Sequence, residues 1–393
     1  MPGRLGHDTT TRVAWLRKEG HIMGSRLVVA IRSETGWELY YDHWAAQTIG
    51  QDIAINGFEK TLKRVRAMVS LGDSLYECVK STLIEGMLLI DMATKHVTWA
   101  EESDGLYMPR LINALVEHSW PGWTAIWSAE STDGVLQAAD IDPADIFAEK
   151  HDATRTLEGS AWFGPWGDFG DSGVFSIRLD DGQLVVWRGL GDLDAVTKLG
   201  PDNMRQHTLT VLERARAGEP LLWDEQNEGA FEEIPDTGIH IDFPARELRW
   251  WSISGEYTSP CPFKEMWPGW TTESMGDNYE WQAQIIGRTL RSWADDVEEC
   301  RQQLASAIDE GERPNPMWGM VEAMTEKGHK IDVYAVAAEF VPASFDATSY
   351  SALDFLDQLK DGAPLPPARI ITRDGRIKPP LVADRLLTPK ARP

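Results

Sequence analysis

The sequence predicts an α+β fold: two diverged tandem copies of one tryptophan-rich unit, each read as ββ-α-ββ-(α)-β, plus a C-terminal helix–strand extension and a tail. Three observations predict it. A strand–turn–strand pattern at Leu89–Trp99 recurs at His240–Trp250, each with an aspartate at the end of the first strand (Asp91, Asp242) and a basic residue four positions on (Lys95, Arg246). The pentapeptide Trp-Pro-Gly-Trp-Thr follows in both copies, beginning at Trp120 and at Trp267. Upstream, each copy opens with an alternating hairpin pattern that gives way to a helical period.

Taken in order, residues 1–22 are polar and read as a flexible extension, with no apolar stretch of the kind a secretory signal carries. The first unit spans 23–140. Its hairpin pairs Leu27–Ile31 with Trp37–Tyr41 around a turn at Ser33–Gly36, and a helix is expected over Gly57–Val69. Residues 141–171 read as a linker that ends in a glycine-rich aromatic loop. The second unit spans 172–287. Its hairpin turns at Asp180-Asp-Gly182, a strong turn signal, and its helix is expected over Met204–Ala217. In 288–365 the apolar spacing of Leu290, Trp293, Val297, Leu304 and Ile308 predicts a helix over Arg288–Glu310, stopped at Gly311–Pro314. A strand over Lys330–Phe340 and a short helix over Ser351–Leu359 follow. Residues 366–393 are basic and proline-rich, a tail that is solvated or strapped over the body. The two sheets, each packed by one or two helices, are expected to dock with pseudo-two-fold symmetry and a groove between the copies.

The run Met23-Gly-Ser-Arg26, then Tyr40-Tyr-Asp-His-Trp44, Leu89-Ile-Asp91 and Trp120-Pro-Gly-Trp123 resembles a family of uncharacterised bacterial proteins. That family starts M-G-x-R, carries YYxHW at the end of a hairpin and has a WPGW element later. The resemblance covers residues 23–130 well and 172–285 in the second half only. It implies an architecture and a start at Met23. No activity is established for the family, so it implies no chemistry.

Charge narrows the function classes. There are 62 acidic against 38 basic residues, for a net charge of −24. Such a surface repels a polyanion, and no basic run lies in the body, so no nucleic-acid partner is expected. Cys78, Cys261 and Cys300 are far apart and form no CxxC, which argues against a disulfide framework or a zinc site and for a reducing, cytoplasmic setting. No apolar run approaches the roughly 18 residues that cross a bilayer, so no membrane is expected. Nucleotide-binding loops, HExxH and GxSxG are absent, and no cofactor or metal is expected.

Tyr41, Asp42 and His43 are the best local candidates for chemistry, since histidine titrates near neutrality and an aspartate can orient it. Adjacent strand residues point to opposite faces, however, so Asp42 is poorly placed to buttress His43. The first reading of His43 is a structural histidine packed under Trp44; ligand contact, catalysis and metal binding come after it. Asp91 and Asp242 read first as turn-makers. The tryptophans of the two repeated pentapeptides read as core, with their indole N–H groups partnered. In the loop 162–171, Trp162, Phe163, Trp166 and Phe169 read as linker packing or as an aromatic binding loop. Two functions are carried forward. The first is an acidic intracellular binding protein that masks a basic partner, in the manner of an immunity protein. The alternative is an enzyme of unrecognised type around Tyr41, Asp42, His43 and the 162–171 loop. No motif speaks to the oligomeric state.

Overall fold

The computed structural model describes residues 25–81, 84–101, 108–147, 173–189, 193–223, 234–254, 266–328 and 340–379. The extension 1–22, the aromatic loop 162–171, Cys261 and nearly all of the strand expected over 330–340 lie outside the described residues. The structure is α+β with two mixed sheets. The first holds β1 (Leu27–Ser33), β2 (Gly36–Asp42), β3 (Val69–Gly72), β4 (Gly86–Asp91), β5 (His96–Ala100) and β6 (Thr124–Ser128). The second holds β7 (Gly173–Arg178), β8 (Leu184–Gly189), β9 (Thr237–Asp242), β10 (Glu247–Ser252) and β11 (Thr271–Ser274). Late in the chain, β12 (Ile370–Ile371) and β13 (Ile377–Lys378) join the first sheet beside β6.

The order β6-β5-β4-β1-β2 within the first sheet matches β11-β10-β9-β7-β8, the whole of the second. Strand senses match as well: two antiparallel hairpins joined by a parallel pair, with the last strand added in parallel. Local chemistry sets these turns. Asp91 Oδ1 accepts from the N–H groups of Ala93 and Thr94, and Lys95 turns the chain at φ 54°. Asp242 Oδ1 accepts from Ala245, and Arg246 turns at φ 53°. Each aspartate also pairs with the arginine opposite it in register, Arg32 at 2.6 Å and Arg178 at 3.2 Å.

Helices α1 (Ile49–Val65), α2 (Leu75–Ser81), α3 (Pro109–Ser119), α4 (Asp133–Ala138) and α5 (Pro143–Phe147) belong to the first half. The second half has α6 (Leu193–Arg216), α7 (Tyr279–Ile286), α8 (Trp293–Glu310), α9 (Pro316–Glu326) and α10 (Ser351–Lys360). The expected starts of two helices, at Gly57 and Met204, were too late. Helix α1 breaks at Gly57 (φ 70°, ψ 178°) and α6 at Gly200 (φ 70°, ψ 171°), so only the stretch after each break carries an uninterrupted period. Only glycine takes that conformation cheaply. A Cβ at either site would also stand 3.1 Å from a backbone oxygen, Ser119 O or Met266 O. Those oxygens immediately precede Trp120 and Trp267, whose indoles reach the opened helices: Trp120 Nε1 donates to Ile53 O at 3.0 Å, and Trp267 Nε1 to Thr197 O at 3.1 Å. The repeated pentapeptide is therefore a clamp on a broken helix. Both tryptophans are fully buried.

Three further expectations are corrected. Sequence reading missed β3 and α2, which intervene between α1 and the second hairpin. Helix α8 starts at Trp293 because Ser292 caps it, accepting from Asp295 N–H. Of the two readings of the tail, its described part follows the strap over the body: Ala368, Ile370 and Ile371 are buried, and β12 pairs in parallel with β6. The groove expected between the copies is filled at its centre. One apolar cluster joins Trp99 and Trp127 of the first unit, Trp251 and Trp281 of the second, and Leu304 and Leu356 of the C-terminal helices. At this junction Arg110 and Asp277 form a buried ion pair at 3.0 Å.

The two faces of the first sheet are both covered. Helices α1 and α3 pack on one, and α2, α4 and α5 seal the other over Val28, Ala30, Met87 and Leu89. The second sheet packs α6 on the corresponding first face and α7 on the other.

Candidate functional site

The structure divides the Tyr41, Asp42 and His43 constellation. Tyr41 and His43, two apart on an extended segment, share a face, and Tyr41 Oη lies 2.8 Å from His43 Nδ1. The imidazole packs edge-on against Trp44, with ring centroids 5.0 Å apart. Burial, aided by the nearby Arg26 guanidinium, lowers its pKa, which keeps the half-buried ring neutral at pH 7. Asp42 goes the other way. Its carboxylate accepts from Trp44 N–H at 2.9 Å and from Val341 N–H at 2.8 Å. Burial raises its pKa, and those two backbone donors pull it back. Asp42 thus pins the C-terminal chain to β2, and the carboxylate that would orient His43 is engaged elsewhere. Among the described residues, no group of three His, Cys, Asp or Glu could hold a metal ion.

Buried charge in the interior is structural. Asp52 accepts from Arg64 at 2.8 Å and from Arg313 at 2.5 Å, joining α1 to the segment after α8. Arg291 pairs with Asp296 at 2.6 Å. Such pairs are costly to break, because either partner alone is an uncompensated buried charge.

Among the described residues, exposed acids gather on the C-terminal helices. Helices α8 and α10 pack side by side, and Trp293 Nε1 donates to Leu359 O. Exposed carboxylates stand on both, Asp295, Asp309 and Glu310 on α8 and Asp354 and Asp357 on α10, with Glu312 and Asp361 just beyond the helix ends; the exposed positions between them are neutral, such as Gln302, Ser306 and Gln358. The cations of this layer are already bound. Arg301 pairs with Asp357 at 2.6 Å and Lys360 with Glu298 at 2.7 Å. Tyr350 stands among the acids, 45% exposed, its hydroxyl donating to Asp309 at 2.9 Å. Trp318, on the first turn of α9, is 57% exposed. This face was not among the candidate sites read from the sequence. Acids at Asp354, Asp357 and Asp361, three and four apart, were the available signal for a single helical face.

No family model matches the chain, and no curated protein or solved structure does. No helix among the described residues is long and apolar enough to cross a membrane.

Proposed function

We propose that this chain is a binding protein that captures a cationic protein partner on the carboxylate face of α8 and α10, masking it as an immunity protein masks a toxin. One observation carries this reading: exposed carboxylates cluster on one helical layer whose arginine and lysine are already consumed in ion pairs. A face of this kind speeds encounter with a basic surface and rejects acidic ones. Tyr350 and Trp318 supply the aromatic anchors that protein interfaces favour. A reducing, cytoplasmic setting belongs to the same proposal. Cys78 and Cys300 are buried, and burial pushes the Cys78 thiol up to about 11.

The test is a tagged pull-down from native cytosol, repeated with Asp309→Asn, Asp354→Asn and Asp361→Asn combined. A stoichiometric basic partner is expected from the parent and not from the triple variant, whose melting point should move little because each surface change is worth roughly 0.5 kcal/mol or less. Recovery of no basic partner, or equal recovery by both proteins, would end the proposal. The alternative, an enzyme centred on Tyr41 and His43, draws support from their hydrogen bond alone.

A further inference from the structure

A cleft of about 380 Å³ opens where the first unit's helix break meets its Trp-Pro-Gly-Trp element. Phe58 and Trp123 form its half-buried aromatic floor, their rings 5.0 Å apart and tilted by 30°. Trp120 braces both edge-on, at 5.2 and 5.3 Å. Asn56 lines the same cleft, and its Oδ1 is buried without a hydrogen-bond partner. Glu59 and Lys60 complete the lining, with Lys60 held to Asp346 at 2.7 Å and to Thr348 at 2.9 Å.

The second unit repeats the backbone of this place, its two tryptophans (Trp267 and Trp270) and its acid (Asp202 for Glu59), but not the rest of its lining. Counted from the glycine break, Asn56, Phe58 and Lys60 are replaced by Leu199, Pro201 and Asn203. The clamp needs only the glycine and the tryptophans, so it does not explain why the first unit has an unpartnered amide oxygen beside a pair of half-buried rings.

The lining selects a ligand class. A purely apolar ligand would leave Asn56 unsatisfied. A cation would face the positive end of the helix segment that restarts at Phe58, together with Lys60. An anion would face Glu59 and a chain of net charge −24. A planar ring cannot be sandwiched, because Phe58 and Trp123 already touch each other. What fits is a neutral ring with one face of C–H groups for the negative π surface and hydroxyls that both donate and accept. We propose that this cleft binds a pyranose, stacked on Trp123 and Phe58, with its hydroxyls on Glu59 and on Asn56, whose buried amide oxygen turns toward the cleft to meet them.

The probes are methyl β-glucopyranoside, methyl α-mannopyranoside and N-acetylglucosamine, titrated into the full chain. The readout is the indole N–H resonance of Trp123, assigned with Trp123→Phe. A saturable shift with at least one probe is expected, with a Kd on the order of 1 mM for a ligand of this size. Asn56→Leu, which installs the second unit's residue, should weaken binding about tenfold by removing one hydrogen bond to the sugar. Its melting point should hold, because the variant loses a buried unpartnered acceptor. Phe58→Ala should abolish the shift. No saturable shift with any probe, unchanged affinity in Asn56→Leu, or a shift with adenosine but not with the glycosides would each overturn the assignment. The triple variant of the carboxylate face should bind the sugar normally, so this test stands or falls apart from the partner reading.

Discussion

Ala30 and Leu89 stand in register on the first sheet; at the matching positions of the second stand Ser176 and His240. Around the first pair the sheet face is apolar and sealed by α2, α4 and α5. Around the second it is polar, and α7 supplies the partners. Ser176 Oγ lies 2.8 Å from His240 Nδ1 and accepts from Gln282 Nε2 at 2.8 Å. Trp251 Nε1 donates to Gln282 Oε1 at 2.6 Å, and Trp281 packs edge-on to His240 at 5.5 Å. One strand framework therefore accepts either kind of face. The apolar version needs only volume and tolerates repacking. The polar version needs each atom matched, so it fails sharply when one member is lost.

Four experiments break or sharpen this contrast. The largest effect is expected at the seam between the units. Arg110→Met leaves the fully buried Asp277 without its cation and should cost about 3–5 kcal/mol in denaturant unfolding. If the units unfold together, a single transition should shift; if the contrast between them extends to cooperativity, the transition should split. Next is Gly238→Ala. A Cβ there would lie 2.0 Å from Gln282 Oε1 and 2.2 Å from Trp251 Nε1, so a loss of about 3 kcal/mol is expected. A near-neutral result would show the polar face to be as forgiving as the apolar one.

The third concerns pH. Burial lowers the His240 pKa from 6.5 to about 4. The unfolded chain takes up this proton first, so its contribution is complete above pH 6.5 and is lost as pH falls toward 4. That loss should reach roughly 3 kcal/mol. His240→Leu, which copies Leu89, should flatten this limb of the stability–pH curve even if it lowers the plateau. An unaltered acid limb would mean that His240 is not its source. The smallest effect tests what the units share. Trp120→Phe and Trp267→Phe each remove one indole-to-carbonyl bond and some volume, and should cost about 2 kcal/mol apiece. Unequal costs would mean that the clamp serves the two units differently.

What was legible in the sequence was local. The hairpins could be read because period-two alternation and Asp-Gly or Asp-x-x-x-Lys turns act within a few residues. The indole partners of Trp120 and Trp267 were anticipated as a class, since a buried indole N–H must donate somewhere. The first halves of α1 and α6 were hidden by the glycine breaks, because a window centred on Gly57 or Gly200 mixes two helical phases. The fate of Asp42 was beyond reach, as its second donor, Val341 N–H, is 299 residues away. The carboxylate face likewise depends on α8 and α10 meeting in space. Only the tertiary structure shows that Arg301 and Lys360 are spent inside it.

The strap formed by β12 has a kinetic consequence. The backbone N–H of Arg373 closes onto Glu130 across 243 residues, and Ile370 and Ile371 cover the β6 edge of a sheet whose first six strands come early in the chain. During synthesis the β6 edge stays open until Ile370 and Ile371 have been made. The intervening residues contain another sheet with five strands of the same order and sense. An open edge beside near-equivalent strands invites wrong pairing, within one molecule or between two. Because it follows the second sheet along the chain, the strap reaches that edge only once every strand of the look-alike has been made.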